Sequence, residues 1–459
     1  MKAKNEFSQN HALVIGASMA GLLTARILSD HFQQVSIVEK DVVHQMPEAR
    51  KGQAHTRHLH GLLAQGFDIM QYYFPDLKKE LKDGGAMVRD MGESMRWYIN
   101  GGYRKRVSMH QDGSTMSRPF LEFLIRKNVL KRSNVRLRDQ SSVRGLLFSL
   151  DRKKVCGLEL TYPSNPEKPE KLMADLVVDA SGRGSEMHNW LEADGYKPPK
   201  ETKVKIKLGY ATCIFERNPN LPGSTDWVFI TPGSRNQTRM AGAFPIENNR
   251  WIVTLGGMSG DHPTDVREEF ITYAQNLPAP DIYEIIRNNK ALTDITLYKY
   301  PVSQRRHYEK LRHFPERLLV IGDAICSFNP IYGQGMTVAA MEAIQLDRLL
   351  RGRAGNLDKL ARVFFKKAGK IIDIPWQIAV GEDFRYPHTE GFKPPGTDLV
   401  NAYIERVHNA SHNDEVVCKA FLKVMNLIKP PASLFHPEIL RRTLFPAKKK
   451  PYSPVLEKA

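Results

Sequence analysis

Cysteine is scarce in this chain of 459 residues. Cys156, Cys213, Cys326 and Cys418 lie far apart, with no Cys-x-x-Cys pair. That spacing argues against a zinc site, an iron–sulfur cluster or a disulfide scaffold, and it fits a reducing compartment. No uninterrupted apolar run reaches the ~18 residues of a transmembrane helix. The polar opening from Met1 to Asn10 has no apolar core of a signal peptide, so a cytoplasmic location is expected. Acidic residues are outnumbered, 50 against 67 Lys and Arg, which leaves a net charge of +17. A balance that basic raises nucleic acid or an anionic membrane as partners. The basic residues are spread, however, with no run of five. A solvated basic surface is therefore expected, and a specific nucleic-acid site is not. The tail, with Lys448-Lys449-Lys450, offers a peripheral membrane contact.

What is present begins at the N-terminus. The apolar run from His11 to Gly16 reads as a buried parallel strand. A glycine turn, Gly16-Ala17-Ser18-Met19-Ala20-Gly21, leads into a helical stretch to Leu28, and a second apolar run, Val35 to Val38, ends at Glu39. This is the strand–turn–helix–strand layout of a dinucleotide fold. Gly16 permits the tight turn, a small residue at 18 lets amides approach a pyrophosphate, and Gly21 lets helix and strand pack closely. The helix N-terminus supplies dipole and free N–H groups. Glu39 can accept hydrogen bonds from an adenosine ribose, and a carboxylate there favours FAD or NAD over NADP. Ser18 replaces the usual middle glycine. Gly16, Ser18, Met19, Ala20, Gly21, Glu39 and Lys40 are the candidate nucleotide contacts.

Two later segments extend the pattern. Ala174 to Ser185 contains a strand running into Asp179-Ala180-Ser181-Gly182-Arg183-Gly184. Leu318 to Thr337 contains Gly322-Asp323 and then Pro330, Gly333-Gln334-Gly335 and Met336, where a helix to about Leu350 begins. On these three motifs, over roughly residues 10–365, the sequence resembles the class A flavoprotein monooxygenases, the p-hydroxybenzoate hydroxylase-like group. The resemblance implies non-covalent FAD, with Asp323 at the flavin ribitol and the amides of Gly335 and Met336 at the ring. A helix N-terminus there suits the negative charge of reduced flavin. It also implies Arg118, in Ser117-Arg118-Pro119 before a helix from Phe120 to Lys131, as an FAD contact. Arg50 is read as a flavin phosphate or ring-edge contact. The neighbouring His55, His58 and His60 have no common helical face and no acidic partner, so no metal is expected and they are read as loop polarity around the active site.

No second glycine turn of this kind follows a strand, so no separate nicotinamide domain is expected, and Ser181 stands where the family often has Asp. Electrons are therefore expected from NAD(P)H docking transiently or from a separate flavin reductase. The Trp-x-Trp-x-Ile-Pro signature of flavin halogenases is missing, which argues against halogenation. The wording around Gly16, Arg50-Lys51-Gly52, Asp179 and Phe328 is similar to the flavin epoxidases of polyether biosynthesis. That likeness implies a secondary-metabolic enzyme that epoxidises or hydroxylates an apolar, alkene-containing substrate with O₂, through a flavin C4a-(hydro)peroxide. Two rivals share the motifs: a reductase saturating isoprenoid-type double bonds, and a flavin-carrying RNA- or membrane-binding protein without turnover.

The expected fold is α/β. A Rossmann-type FAD-binding domain (1–85, 113–195 and 298–365) carries an inserted mixed β-sheet substrate domain (86–112 and 196–297) and a C-terminal helical region with the basic tail (366–459). Strands at 211–215, 227–230 and 250–255 suggest a sheet facing the flavin. Phe215, Trp227, Phe229, Trp251 and Pro330 are its candidate wall residues. Helices are expected at 398–410 and 414–428; they would cover the substrate entrance or cap it toward a membrane or partner.

Overall fold

The computed structural model describes residues 9–232 and 237–446, and the stretch Lys448-Lys449-Lys450 lies outside the described residues. A five-stranded parallel sheet forms the first layer. Its order is Leu318–Val320, Leu176–Asp179, Gln9–Ile15, Phe32–Val38, Val135–Arg138. Its strands are runs of aliphatic residues rather than alternations: Ala12, Leu13, Val14, Leu176, Val177 and Val178 are all fully buried. That pattern belongs to strands covered on both faces. The helix Met19–Leu28 packs against the helices Arg118–Leu130 and Gly335–Arg351. A three-stranded antiparallel meander, Ser142–Phe148, Val155–Tyr162 and Asn165–Met173, lies against the strand Leu176–Asp179. Its last strand has no apolar signature, because Asn165 to Lys171 is polar, carries two prolines and is largely exposed.

The second layer is an eight-stranded mixed sheet. Its order is Cys326–Ser327, Thr296–Arg306, Glu201–Glu216, Arg250–Gly257, Arg239–Ile246, Trp227–Ile230, Met95–Ile99, Gly102–Tyr103. Side chains alternate across it. Ala211, Cys213, Phe215, Trp251, Val253 and Leu255 turn to one face, where Phe270, Tyr273, Ile282 and Ile286 of two helices cover them. Phe215 and Trp251 are directly paired across the strands. They belong to this outer core and not to a substrate wall, which corrects the expectation for both. A period of two sends them to the face opposite Tyr210, Thr254 and Gly256.

The C-terminal helices Thr397–Ala410 and Glu415–Met425 continue the structure rather than hang from it. Val407, Val417, Cys418, Phe421 and Leu422 form one buried cluster with Trp97, Ile99, Val107 and Met109 at the edge of the eight-stranded sheet. The helix Leu360–Asp383 joins them to the first layer by packing on Gly335–Arg351. Among the described residues no helix is long and apolar enough to cross a membrane.

Candidate active site

The glycine turn is as tight as its sequence demands. Gly16 has φ +99°, and a Cβ there would stand 2.6 Å from the Ala180 carbonyl oxygen. A Cβ on Gly21 would stand 1.8 Å from the Gly16 carbonyl oxygen, so Gly21 serves helix–strand contact and does not itself line the cavity below. Ser18 is the helix N-cap residue, yet its side chain does not cap the helix. Its hydroxyl instead donates to Glu122 Oε2 (3.0 Å) and accepts from Arg118 Nη2 (3.0 Å). The first amides of the helix are thus left without a side-chain partner, the arrangement that receives an anion.

Beneath the turn lies a charged network that the sequence did not reveal. Arg50 is buried and pairs with Glu39 Oε2 (2.8 Å) and with Glu122 Oε1 (2.8 Å), and it donates to the Ala17 carbonyl (3.0 Å). Arg50 is absent from the cavity lining, so it braces the turn from behind rather than reaching into the space a flavin phosphate would take. Glu39 accepts from Ala17 N (2.8 Å) and Asp41 N (3.0 Å) besides Arg50. Of its roughly four lone-pair positions, three are engaged, and Glu39 also lines the cavity. Burial alone would raise the Glu122 carboxyl, but Arg118 and Arg50 outweigh it and hold it below the ordinary carboxylate value. Glu122 could have been found from its spacing: it lies four residues after Arg118 on an apolar helix.

The far motif closes the same space. Asp179, fully buried, accepts from the amide of Ser181 (2.9 Å) and from the hydroxyls of Ser181 and Ser185, which shapes the turn that follows. Arg183, within that turn, faces the cavity and donates to the Val302 carbonyl (2.6 Å) and Ser327 Oγ (2.9 Å). Asp323 faces the cavity beside the start of the helix Gly335–Arg351. Gln334 at that helix start is 1% exposed, and neither its Oε1 nor its Nε2 has a partner.

These parts line one cavity of about 840 Å³. At one end stand Gly16, Ser18, Met19, Ala20, Glu39, Lys40, Gln53 and Arg118. Arg183, Asp323, Pro330, Gln334, Gly335 and Met336 line it as well, with His58, Tyr210, Tyr298 and Tyr300, the last lying under the Arg183 guanidinium (4.7 Å to the ring centroid). The other end is apolar: Met91, Met95, Trp97, Trp227, Phe229 and Phe244 come from the sheet side, and Phe421, Leu422 and Met425 from a C-terminal helix. The structure therefore brings together every predicted nucleotide and flavin contact except Gly21 and Arg50, and Trp227, Phe229 and Pro330 of the predicted wall. Burial lowers the imidazoles of His55 and His58 to about 4, so both are neutral at pH 7. Among the described residues no group of three or more His, Cys, Asp or Glu is placed to hold a metal ion.

No family model matches the chain. It is 29% identical over 442 residues to Protein Rv3254 of Mycobacterium tuberculosis, covering 92% of this chain and 90% of that protein. It is 23% identical to a kynurenine 3-monooxygenase of Salinispora tropica over 88% of this chain and 83% of that one. The flavin-dependent brominase Bmp2 superposes with a TM-score of 0.65 at 14% identity, over 95% of this chain and 98% of that one. The chain has the fold of the class A flavoprotein monooxygenases and their halogenase neighbours.

Proposed function

We propose that the protein is an FAD-dependent monooxygenase that epoxidises or hydroxylates a largely apolar, alkene-containing molecule with O₂. The observation that carries this reading is the single cavity. It runs from an uncapped helix N-terminus with a glycine turn to an apolar chamber, and a second helix N-terminus lies between them. The residues fit FAD. Gly16 leaves room that a Cβ would fill, and Gln334 is buried with both amide atoms unpartnered, as a group awaiting a polar ligand would be. Gly16, Ser18, Met19, Ala20, Glu39, Lys40 and Arg118 would hold the nucleotide half. Asp323, Gly335 and Met336 would hold the flavin half, with Arg50 bracing the turn.

Bound FAD, once reduced, would supply the oxygen-activating chemistry. The chain's own task is then to bind, orient and exclude water. Neutral histidines and a chamber walled by aromatic and methionine side chains suit that task. The lack of the halogenase tryptophan signature favours oxygenation over halogenation on this shared fold. With Ser181 in place of an acidic residue and no second nucleotide turn, we assign electron supply to a separate flavin reductase. Anaerobic stopped-flow mixing tests this: slow bleaching by NADH or NADPH alone supports it, and bleaching on the timescale of turnover contradicts it. The oxygenase reading is tested with ¹⁸O₂ and an apolar alkene in the presence of a reductase. One labelled oxygen atom in the product supports it; a saturated product, or label drawn from water, contradicts it.

A further inference from the structure

At the apolar end of the cavity the lining residue His408 is backed by Arg104, which is not itself in the lining. Arg104 is 5% exposed, and its guanidinium lies between the rings of Trp97 (4.4 Å to the centroid) and Phe421 (3.8 Å). Its Nη1 donates to Ser411 Oγ (2.9 Å) and its Nη2 to His408 Nδ1 (2.6 Å). Among the described residues no carboxylate lies within ion-pair distance of it. A guanidinium has only donors, so His408 Nδ1 must accept, and a neutral imidazole then carries its proton on Nε2. His408 is 4% exposed and lines the cavity, and among the described residues its Nε2 has no hydrogen-bond partner. Arg385 pairs with Glu382 at 2.7 Å, and Glu382, which also lines the cavity, acts on Arg104 only from beyond contact. His412 spends Nε2 on the Ile99 carbonyl (2.9 Å). Burial, then Arg104, Arg385 and His412, keep His408 neutral.

A buried cation with no carboxylate in contact is costly unless something neutralises it. We propose that His408 Nε2–H and Arg104 behind it form a binding subsite for an anionic oxygen, a carboxylate or an enolate, at the end of the substrate remote from the flavin. The inference rests on reading this chamber as the substrate end. It makes the substrate amphipathic: an apolar chain with an acidic head, held so that the chain lies toward Tyr298 and Gln334. The cation is transmitted through the ring, since the guanidinium polarises the imidazole and strengthens its remaining N–H as a donor.

The test uses the FAD-loaded full chain and three probes of one shape: decanoate, decanamide and decan-1-ol, titrated by calorimetry. Decanoate is expected to bind about tenfold or more tightly than decan-1-ol, the effect of one hydrogen bond to a charged acceptor. His408→Phe should abolish that preference while leaving decan-1-ol binding nearly unchanged, and His408→Gln, which keeps an N–H donor, should retain part of it. Arg104→Met should weaken decanoate alone; where it lowers the melting temperature, the two His408 variants decide. Equal affinity for acid and alcohol, a preference that survives in His408→Phe, or no binding of any probe overturns the proposal. FAD content measured on the same samples separates the two readings. Protein that retains FAD without the acid preference fails this inference alone, whereas protein without FAD fails the proposed function.

Discussion

The two ends of the cavity handle buried charge in opposite ways. At the glycine turn, Arg50 and Arg118 meet Glu39 and Glu122, so the protein supplies both signs itself. At the apolar end, the Arg104 guanidinium meets two aromatic faces, a hydroxyl and an imidazole, and no carboxylate among the described residues. A closed network holds backbone in one geometry, as a turn that must present amides to a phosphate requires. An open cation instead leaves its compensation to whatever enters. On the proposed reading the first end keeps its geometry with or without a ligand, and the second selects one.

The sharpest way to break this contrast is to open the closed network. Glu122→Ala leaves Arg50 and Arg118 short of a carboxylate in a buried place. It should cost about 3–5 kcal/mol of stability, read as a fall in melting temperature. Because the Glu122 carboxyl is held below its ordinary 4.5, its contribution is fully present above that pH and is lost as pH falls through the lower folded value. The wild type should therefore lose stability below about pH 4.5 faster than the variant. Parallel acid profiles for the two would contradict the network's role.

Gly21→Ala comes next. The new Cβ would overlap the Gly16 carbonyl, so helix and strand must part. We expect about 1–3 kcal/mol of destabilisation together with loss of retained flavin. A variant that keeps wild-type flavin would show that the turn does not position the nucleotide.

Asp383 sharpens the contrast at the junction of the C-terminal helices with the flavin half. It is fully buried, accepts from Asn329 Nδ2 (2.7 Å) and Tyr332 OH (3.0 Å), and leaves Oδ2 unpartnered. Burial pushes its carboxyl up from 3.8 to about 7. The folded state then holds a proton that the unfolded chain gives up, so stability declines as pH rises from about 4 to 7 and levels off above that. Asp383→Asn removes this decline. It should melt higher than wild type at pH 8, with the gap closing toward pH 4; a constant gap across that range would contradict the assignment.

The smallest effect is also the most discriminating for the sheet. Phe229→Leu should raise KM for an apolar substrate, because Phe229 lines the cavity. Phe215→Leu should leave KM unchanged and cost about 1 kcal/mol of stability, because Phe215 packs under the outer helices. A KM change of equal size in both would mean that both faces of the sheet reach the substrate.

The same contrast decides what could be read from the sequence. The shape of the glycine-turn end could be read because its pieces are short and contiguous: a glycine that needs a positive φ, a small residue before a helix, an acid at a strand end. Asp323, Gly335 and Met336, expected from the family resemblance, line the same cavity. Arg50 was placed in the right loop but given the wrong direction, since its two carboxylate partners come from residues 39 and 122. The apolar end is assembled from Trp97, Phe229 and Phe421, which share no local pattern. Choosing aromatics by type alone therefore picked both faces of one sheet. The expected strands at 211–215 and 250–255 were right in place, but whether an odd or an even residue faces the cavity depends on which side the outer helices dock. The helices at 398–410 and 414–428 were foreseen, whereas their part in walling the cavity was not, because it depends on packing against Trp97 and Ile99.

If one cavity joins a dinucleotide seat to a substrate chamber, what the seat holds decides the matter. Purified protein saturated with flavin and freed of excess should, on denaturation, release about one FAD per chain, identified by chromatography, with none left attached to the polypeptide. Release of FMN, or of no flavin at all, would contradict the account.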